Sequence, residues 1–246
     1  MEIRQKTMLL TGASRGIGHA TVKLFFENGW RVLTVSRKPF DPACPWPGGA
    51  ENHVQADLSN PAEYRQLIDN VSGKIGDLGL NALVNNAGIS PKGPGGRRKG
   101  VLDSDYQTWN DVLNVNLIST AMLAQGLRAK LQQAGGTIVN VTSIAGTRVH
   151  PFAGVAYACS KAALATLTRE LAHEFGPFGI RVNAISPGEI ETSILSPGTN
   201  EIVERQIPMR RLGDSSEVAE TIMFLCSTQA SYINGAEIDI NGGQHV

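Results

Sequence analysis

Short runs of aliphatic and β-branched residues alternate along the chain with longer stretches in which apolar residues recur at helical spacing. Runs of the first kind predict seven strands, at residues 7–11, 31–36, 53–56, 82–85, 137–142, 181–186 and 237–240. Stretches of the second kind predict helices at residues 16–28, 61–74, 104–133, 153–175 and 215–227. Apolar strands joined by helical crossovers are typical of a parallel sheet with helices on both faces. The pattern therefore predicts a doubly wound, Rossmann-type α/β fold with a seven-stranded sheet.

Composition narrows the class of protein. The length of 246 residues suits one domain spanning 1–246. Lys and Arg number 22, as do Asp and Glu, so no net field draws in nucleic acid or an acidic membrane surface. The 3 cysteines have no CxxC spacing and the 5 histidines no metal-ligand spacing. We therefore expect a cytoplasmic protein that binds no metal, no nucleic acid and no membrane.

The first predicted strand runs directly into TGASRGIG, residues 11–18. Gly12, Gly16 and Gly18 permit a tight turn and a close approach of the backbone to a pyrophosphate, which would bind the amides of the following helix. An ordinary strand-to-helix turn is the alternative interpretation. The position between a strand and a helix favours a dinucleotide site.

The end of the second predicted strand indicates which dinucleotide is bound. Ser36 occupies the place where an acid would bind the ribose hydroxyls, and Arg37 follows it. A guanidinium can make a forked contact with a 2′-phosphate, whereas an acid would repel that group. The sequence therefore favours NADP(H) over NAD(H), with Arg15 as a second contact. A solvated loop residue is the alternative role of Arg37.

The sequence YACSK, residues 157–161, places a tyrosine and a lysine one helical turn apart. A neighbouring ammonium would lower the pKa of Tyr157, which could then act as a general acid or base between a carbonyl and an alcohol. Ser143, at the end of the fifth predicted strand, could hydrogen-bond a substrate oxygen. Taken alone, Tyr157 and Lys161 are equally typical of a core tyrosine beside a solvated lysine.

Several motifs in order resemble the short-chain dehydrogenase/reductase family over essentially the whole chain. They are TGASRGIG, ADL at 56–58, NNAG at 85–88, Asn116, Ser143, YACSK, PG at 187–188 and INGG at 240–243. The set is similar to that of NADP-preferring members such as 3-oxoacyl-carrier-protein reductases, and to that of many sugar, polyol and steroid enzymes. The resemblance implies hydride transfer between NADP(H) and a carbonyl or secondary alcohol, in a homodimer or homotetramer.

The same resemblance implies roles for individual residues. Tyr157 would donate and accept the proton, Lys161 would lower the pKa of Tyr157 and hold the nicotinamide ribose, and Ser143 would orient the substrate oxygen. Asn116 would hold a water in a proton relay. The implied cofactor contacts are Gly12, Ser14, Arg15, Gly16, Ile17, Gly18, Ser36, Arg37, Asp57, Leu58, Asn85, Ala87, Gly88, Tyr157, Lys161, Pro187, Gly188, Ile190 and Thr192.

Two segments rich in Gly and Pro follow predicted strands. Residues 189–208 are expected to form a lid over the substrate. Residues 91–100 carry Lys92, Arg97, Arg98 and Lys99, which are either simply solvated or attract an anionic substrate. His150 could likewise reach a substrate or be a plain loop residue.

A non-enzymatic dinucleotide-binding protein, which senses cofactor or acts through a partner, is the competing function. Such a protein could lose Tyr157 or Lys161, and this chain retains both.

Overall fold

A computed structural model describes residues 5–44, 46, 48–191 and 198–246. Seven strands form one sheet in the order β3-β2-β1-β4-β5-β6-β7, and every strand pairing in it is parallel. The strands are β1 (Thr7–Thr11), β2 (Arg31–Ser36), β3 (His53–Gln55), β4 (Ala82–Asn85), β5 (Thr137–Val141), β6 (Arg181–Pro187) and β7 (Glu237–Ile240). This confirms the predicted seven-stranded α/β sheet, with strand ends shifted by at most a residue.

Seven α-helices connect or follow the strands in the described ranges. They are α1 (Gly16–Glu27), α2 (Tyr64–Ile75), α3 (Tyr106–Leu113), α4 (Ser119–Ala134), α5 (Val155–Phe175), α6 (Thr199–Gln206) and α7 (Ser215–Leu225). A π-helical turn at Asn114–Ile118 divides the stretch that the sequence predicted as one helix at 104–133. Helix α6 was not predicted. It lies within the expected lid, of which residues 192–197 are outside the described part of the chain.

Successive strand residues point to two separate cores. Leu9 of β1 and Leu83 of β4 contribute to one core, whereas the flanking Met8, Leu10 and Val84 contribute to the other. The first core also contains residues of α2, α4 and α5, and the second contains residues of α1 and α7. Helices therefore cover both faces, and the period-two alternation of apolar side chains explains why these strands need two cores.

None of the helices in the described ranges is long and apolar enough to cross a membrane.

The strand order reverses between β1 and β4, since β2 and β3 extend the sheet in one direction and β5, β6 and β7 in the other. In open parallel sheets, ligands bind at the carboxyl ends of the strands beside such a reversal. The loops that follow β1, β4, β5 and β6 carry most of the candidate site residues.

Candidate active site

The glycine loop after β1 is packed too tightly for larger residues. Gly12 has a φ of +77°. A Cβ on Gly18 would lie 2.1 Å from the carbonyl oxygen of Gly12. Helix α1 begins at Gly16, and its N-cap residue, Arg15, makes no side-chain cap hydrogen bond. The first amides of α1 therefore have no side-chain partner from the cap and suit an anionic ligand such as a pyrophosphate.

The glycine loop is tied to the loop after β4 by two residues that the sequence analysis did not identify, Thr11 and Asn86. Asn86 Nδ2 donates to the carbonyl oxygens of Thr11 and Gly12 at 3.0 and 2.8 Å. Thr11 Oγ1 accepts from the backbone N–H of Asn86 and of Ala87 at 3.2 and 3.1 Å. The second asparagine of NNAG is the sequence feature from which this connection could have been predicted. The shape of the loop therefore depends on these hydrogen bonds as well as on its glycines.

Asn85, the first asparagine of NNAG, takes part in a hydrogen-bonded network inside the protein. Its side chain is buried and donates from Nδ2 to Asn140 Oδ1 at 2.9 Å. Asn140 in turn donates to Thr168 Oγ1 of α5 at 2.9 Å. Asn85 thus links β4, β5 and α5 inside the protein, and its role as a cofactor contact stays a prediction.

At the end of β2, Ser36 Oγ donates to the carbonyl oxygen of Lys38 at 2.9 Å, and the side chain of Arg37 is exposed. Asp57 Oδ1 accepts from the backbone N–H and the hydroxyl of Ser59 at 2.9 and 2.8 Å. The backbone bond from Ser59 is the largest cause that lowers the pKa of Asp57, and the charge of Arg37 adds to it. Leu58 is buried in the core. This edge therefore presents a cation and an ionised carboxylate held by its own turn.

Tyr157 and Lys161 share a face of α5, as the spacing predicted. The Lys161 ammonium lies 5.6 Å from the centroid of the Tyr157 ring and donates to the carbonyl oxygen of Val141 at 2.6 Å. A Cβ built on Gly88 would lie 3.4 Å from Lys161 Nζ and 3.6 Å from Asn116 Oδ1. The structure thus brings the end of β5, the loop after β4, the π-helical turn and α5 to one point.

Burial dominates the ionisation of both members of this pair. It raises the pKa of Tyr157, an effect that hydrogen bonding to Ser143 partly offsets. Burial lowers the pKa of Lys161 to about 8. The pKa of Tyr157 is therefore raised overall, because desolvation of the phenol is the larger effect. A lowering contribution from Lys161 stays a prediction.

The amide of Asn116 makes three hydrogen bonds to the protein. Its Oδ1 accepts from the backbone N–H of Ile89 at 2.8 Å, and its Nδ2 donates to the Ile89 carbonyl at 3.1 Å and to Ser160 Oγ at 2.9 Å. Asn116 therefore fixes the loop after β4. The π-helical turn that carries it is a kind of irregularity often found at functional sites. A water relay at Asn116 stays a prediction.

The loop after β6 carries the remaining implied cofactor contacts. The Gly188 N–H donates to the carbonyl oxygen of Ile240 at 3.0 Å, directly after the buried Pro187. Ile190 is buried and forms a parallel bridge with Gly213. Thr192 lies outside the described residues. The loop is thus attached to β7 and to the segment before α7.

Residues 91–100 pack along the segment that leads into α5. Lys92 Nζ donates to the carbonyl oxygen of Phe152 at 2.5 Å, and Arg98 Nε donates to that of Ala153 at 2.8 Å. These two cations therefore have defined partners, and the loop is more than a freely solvated one. Attraction of an anionic substrate by this loop stays a prediction.

Comparisons with known proteins agree with this geometry. The family described as Enoyl-(Acyl carrier protein) reductase matches residues 12–245. Protein FixR of Bradyrhizobium diazoefficiens is 57% identical over 98% of this chain and 87% of its own. The 3-oxoacyl-[acyl-carrier-protein] reductase FabG of Vibrio cholerae is 32% identical over 100% of both chains. The crystal structure of a short chain dehydrogenase/reductase oxidoreductase from Brucella ovis, in complex with a partially ordered NAD, is 53% identical, with a TM-score of 0.84 over 97% of this chain and 100% of that one.

A glycine-rich loop at the reversal of a parallel sheet, beside a tyrosine and a buried lysine, defines an oxidoreductase with a nicotinamide dinucleotide as cofactor. The chain belongs to the short-chain dehydrogenase/reductase family, which confirms the resemblance seen in its motifs. Its substrates are accordingly small molecules with a carbonyl or alcohol group.

We expect Gly18→Ala to weaken binding of the nicotinamide dinucleotide by about tenfold or more, because relief of an overpacked contact of about 1–3 kcal/mol with a backbone carbonyl must displace the loop that would bind the pyrophosphate. Gly73→Ala is the matched control, since a Cβ at Gly73 of α2 meets no atom within 4 Å. The control should bind the dinucleotide normally and melt at a slightly higher temperature. Fluorescence titration measures the binding, and unchanged affinity in Gly18→Ala would contradict the packing argument.

Lys161→Met should stabilise the protein more at neutral than at alkaline pH. The pKa of Lys161 is about 8 in the folded protein, against about 10.4 in an unfolded chain. Between those values the unfolded state binds more protons, so the stability of the unmodified protein rises with pH across that window. The advantage of the variant should therefore shrink by up to about 3 kcal/mol from pH ~7 to pH ~10.5.

Urea denaturation at both pH values measures this difference. Lys23→Met, at an exposed position of α1 paired with Glu27, is the control and should show little change in its difference from the unmodified protein. A pH-independent effect of Lys161→Met would show that the buried ammonium is not destabilised as described.

Proposed function

We propose that the protein is an NADP(H)-dependent oxidoreductase that interconverts a carbonyl and a secondary alcohol, with Tyr157 as general acid and base. The observation that carries this proposal is the convergence of Ser143, Tyr157 and the buried ammonium of Lys161 beside the loop after β4. Each of the three groups has a separate use in such a reaction. The glycine loop lies at the neighbouring strand end.

The residues of the site fit a nicotinamide dinucleotide, which supplies or accepts the hydride when it is bound. The amides at the start of α1 would hold the pyrophosphate. Lys161 donates to one protein acceptor, Val141, and forms no ion pair with an acid among the described residues. Its remaining N–H groups therefore suit the hydroxyls of a ribose.

The protonated form of Tyr157 suits the proton-donating step of a carbonyl reduction. Because burial raises its pKa, the phenol holds its proton at neutral pH and can donate that proton to the oxygen of a bound carbonyl. Ser143 would donate a hydrogen bond to the same oxygen and orient it. Lys161 would then act mainly by positioning the cofactor ribose and by stabilising the phenolate that forms after proton donation.

The preference for NADP(H) rests on the charges around the end of β2. Arg15 and Arg37 are both exposed, and the strand ends at Ser36 without an acid. Two guanidinium groups near a 2′-phosphate would favour that group electrostatically. The proposal has four further parts. Asn116 binds a water, and residues 189–208 form a lid. The chain forms one domain over 1–246 and assembles as a homodimer or homotetramer.

Tyr157→Phe is expected to lower kcat by a factor of about 100 to 10,000, because removal of one positioned general acid has effects of that size. Binding of NADPH should be retained, since the hydroxyl is not needed to hold the dinucleotide. The readout is NADPH absorbance against ketones, sugars and oxoacyl thioesters, with Tyr106→Phe as the control because Tyr106 is 80% exposed. Near-normal turnover by Tyr157→Phe would contradict the assignment.

Arg37→Ser should reduce the preference for NADPH over NADH by about 10- to 100-fold, because the variant loses one charge-assisted contact with the 2′-phosphate. The ratio of kcat/KM for the two cofactors, measured with one substrate, gives this preference directly. Arg169→Ser, an exposed arginine of α5, is the charge-matched control. The proposed cofactor preference would be refuted if the unmodified protein had equal kcat/KM values for NADH and NADPH and Arg37→Ser did not change their ratio.

A further inference from the structure

Glu189 places a carboxylate in the loop after β6, immediately after Gly188. Its backbone oxygen accepts from the N–H of Gly213 at 2.9 Å, which fixes the position of the residue. Its side chain is only 16% exposed. Glu189 Oε1 lies 2.5 Å from Nε2 of His150, in the segment between Ser143 and Tyr157. The loop after β6 and the segment that leads into α5 are therefore joined by this pair.

Hydrogen bonds identify the form of the imidazole. His150 Nδ1 accepts from the backbone N–H of Phe152 at 3.3 Å, so its proton is on Nε2. That proton is donated to Glu189 Oε1. His150 thus orients the carboxylate of Glu189, which carries a negative charge when it is ionised.

This negative charge has few other partners. Among the described residues, the hydrogen bond from His150 is the one that the carboxylate accepts, and no lysine or arginine lies within 4.0 Å of it. A mostly buried carboxylate with a single hydrogen-bond donor is costly, and an ionised carboxylate can accept several hydrogen bonds. Within the described part of the chain, Glu189 therefore has unused accepting capacity.

The carboxylate also lies within electrostatic range of Tyr157. Its charge contributes to the raised pKa of Tyr157 and opposes the lowering of the pKa of Lys92 by burial. Neither residue forms an ion pair or a hydrogen bond with it. A group of the substrate that is near the reacting carbon would enter the space beside Tyr157, within the influence of this carboxylate.

We propose that Glu189, oriented by His150, is a specificity-determining residue that accepts a hydrogen bond from a hydroxyl or ammonium group next to the substrate carbonyl. The inference rests on the proposed function. Glu189 selects hydroxylated or amino ketones over unsubstituted ones, because an apolar substrate chain beside it would leave the carboxylate desolvated and unpaired. Simple oxoacyl chains lack such a donor and should be poor substrates.

The test compares acetone, hydroxyacetone and aminoacetone, reduced with NADPH by the unmodified protein, Glu189→Gln and Glu189→Leu. We expect kcat/KM for the better of the two substituted ketones to exceed that for acetone by about 10- to 100-fold, as for a hydrogen bond to a charged group. Glu189→Leu should bring this ratio close to one while acetone is still reduced. That residual activity also shows that the variant is folded.

Glu189→Gln distinguishes the two donors. A glutamine oxygen still accepts from a hydroxyl, so a preference for hydroxyacetone should survive in part, whereas a preference for aminoacetone should disappear with the charge. Glu220→Gln, an exposed position of α7, is the control and should leave all ratios unchanged.

Two results would overturn the inference in different ways. If the unmodified protein reduces acetone and the substituted ketones with equal kcat/KM, Glu189 does not select a donor, and the proposed function stands. If no ketone of this series and no member of the wider panel is reduced, the proposed function falls and the inference falls with it.

Discussion

The hydrogen bond from the buried ammonium of Lys161 to the carbonyl oxygen of Val141 determines where the charge of the candidate site lies. It joins α5, which carries Tyr157, to the end of β5. Taking the ammonium out of water is unfavourable, as the lowered pKa of Lys161 records. The fold thus keeps a destabilising charge at the one place where a ribose can use it.

Local patterns along the chain were sufficient to predict the sheet. Apolar runs such as TMLLT and RVLTVS are buried on both faces, so their strand character does not depend on distant residues. The short helix α6, TNEIVERQ, shows the limit of the method, because its eight residues are mostly polar and bury few side chains. Its helical form depends on what it packs against, which a periodicity of this length does not reveal.

The candidate site likewise contains residues that the sequence reveals and contacts that it does not. Residues in sequence motifs, such as Gly18, Tyr157 and Lys161, could be located because their spacing alone carries a chemical meaning. The bridge between Asn86 and the glycine loop, and that between Glu189 and His150, join segments 74 and 39 residues apart. The pKa of Tyr157 was expected to fall because a neighbouring charge is visible in the sequence. Burial, which is not visible there, decides the direction.

The π-helical turn at Asn114–Ile118 joins helices α3 and α4 and sets how α4 is rotated relative to α3. A π turn contains an extra residue relative to α-helix, which offsets the residues after it by about 100° around the axis. The buried face of α4, formed by Leu123, Leu127 and Leu131, is directed at the sheet only with that offset. Loss of a single residue from the turn would leave a regular helix whose leucines point into the wrong surroundings, so the chain length in this turn is as constrained as its composition.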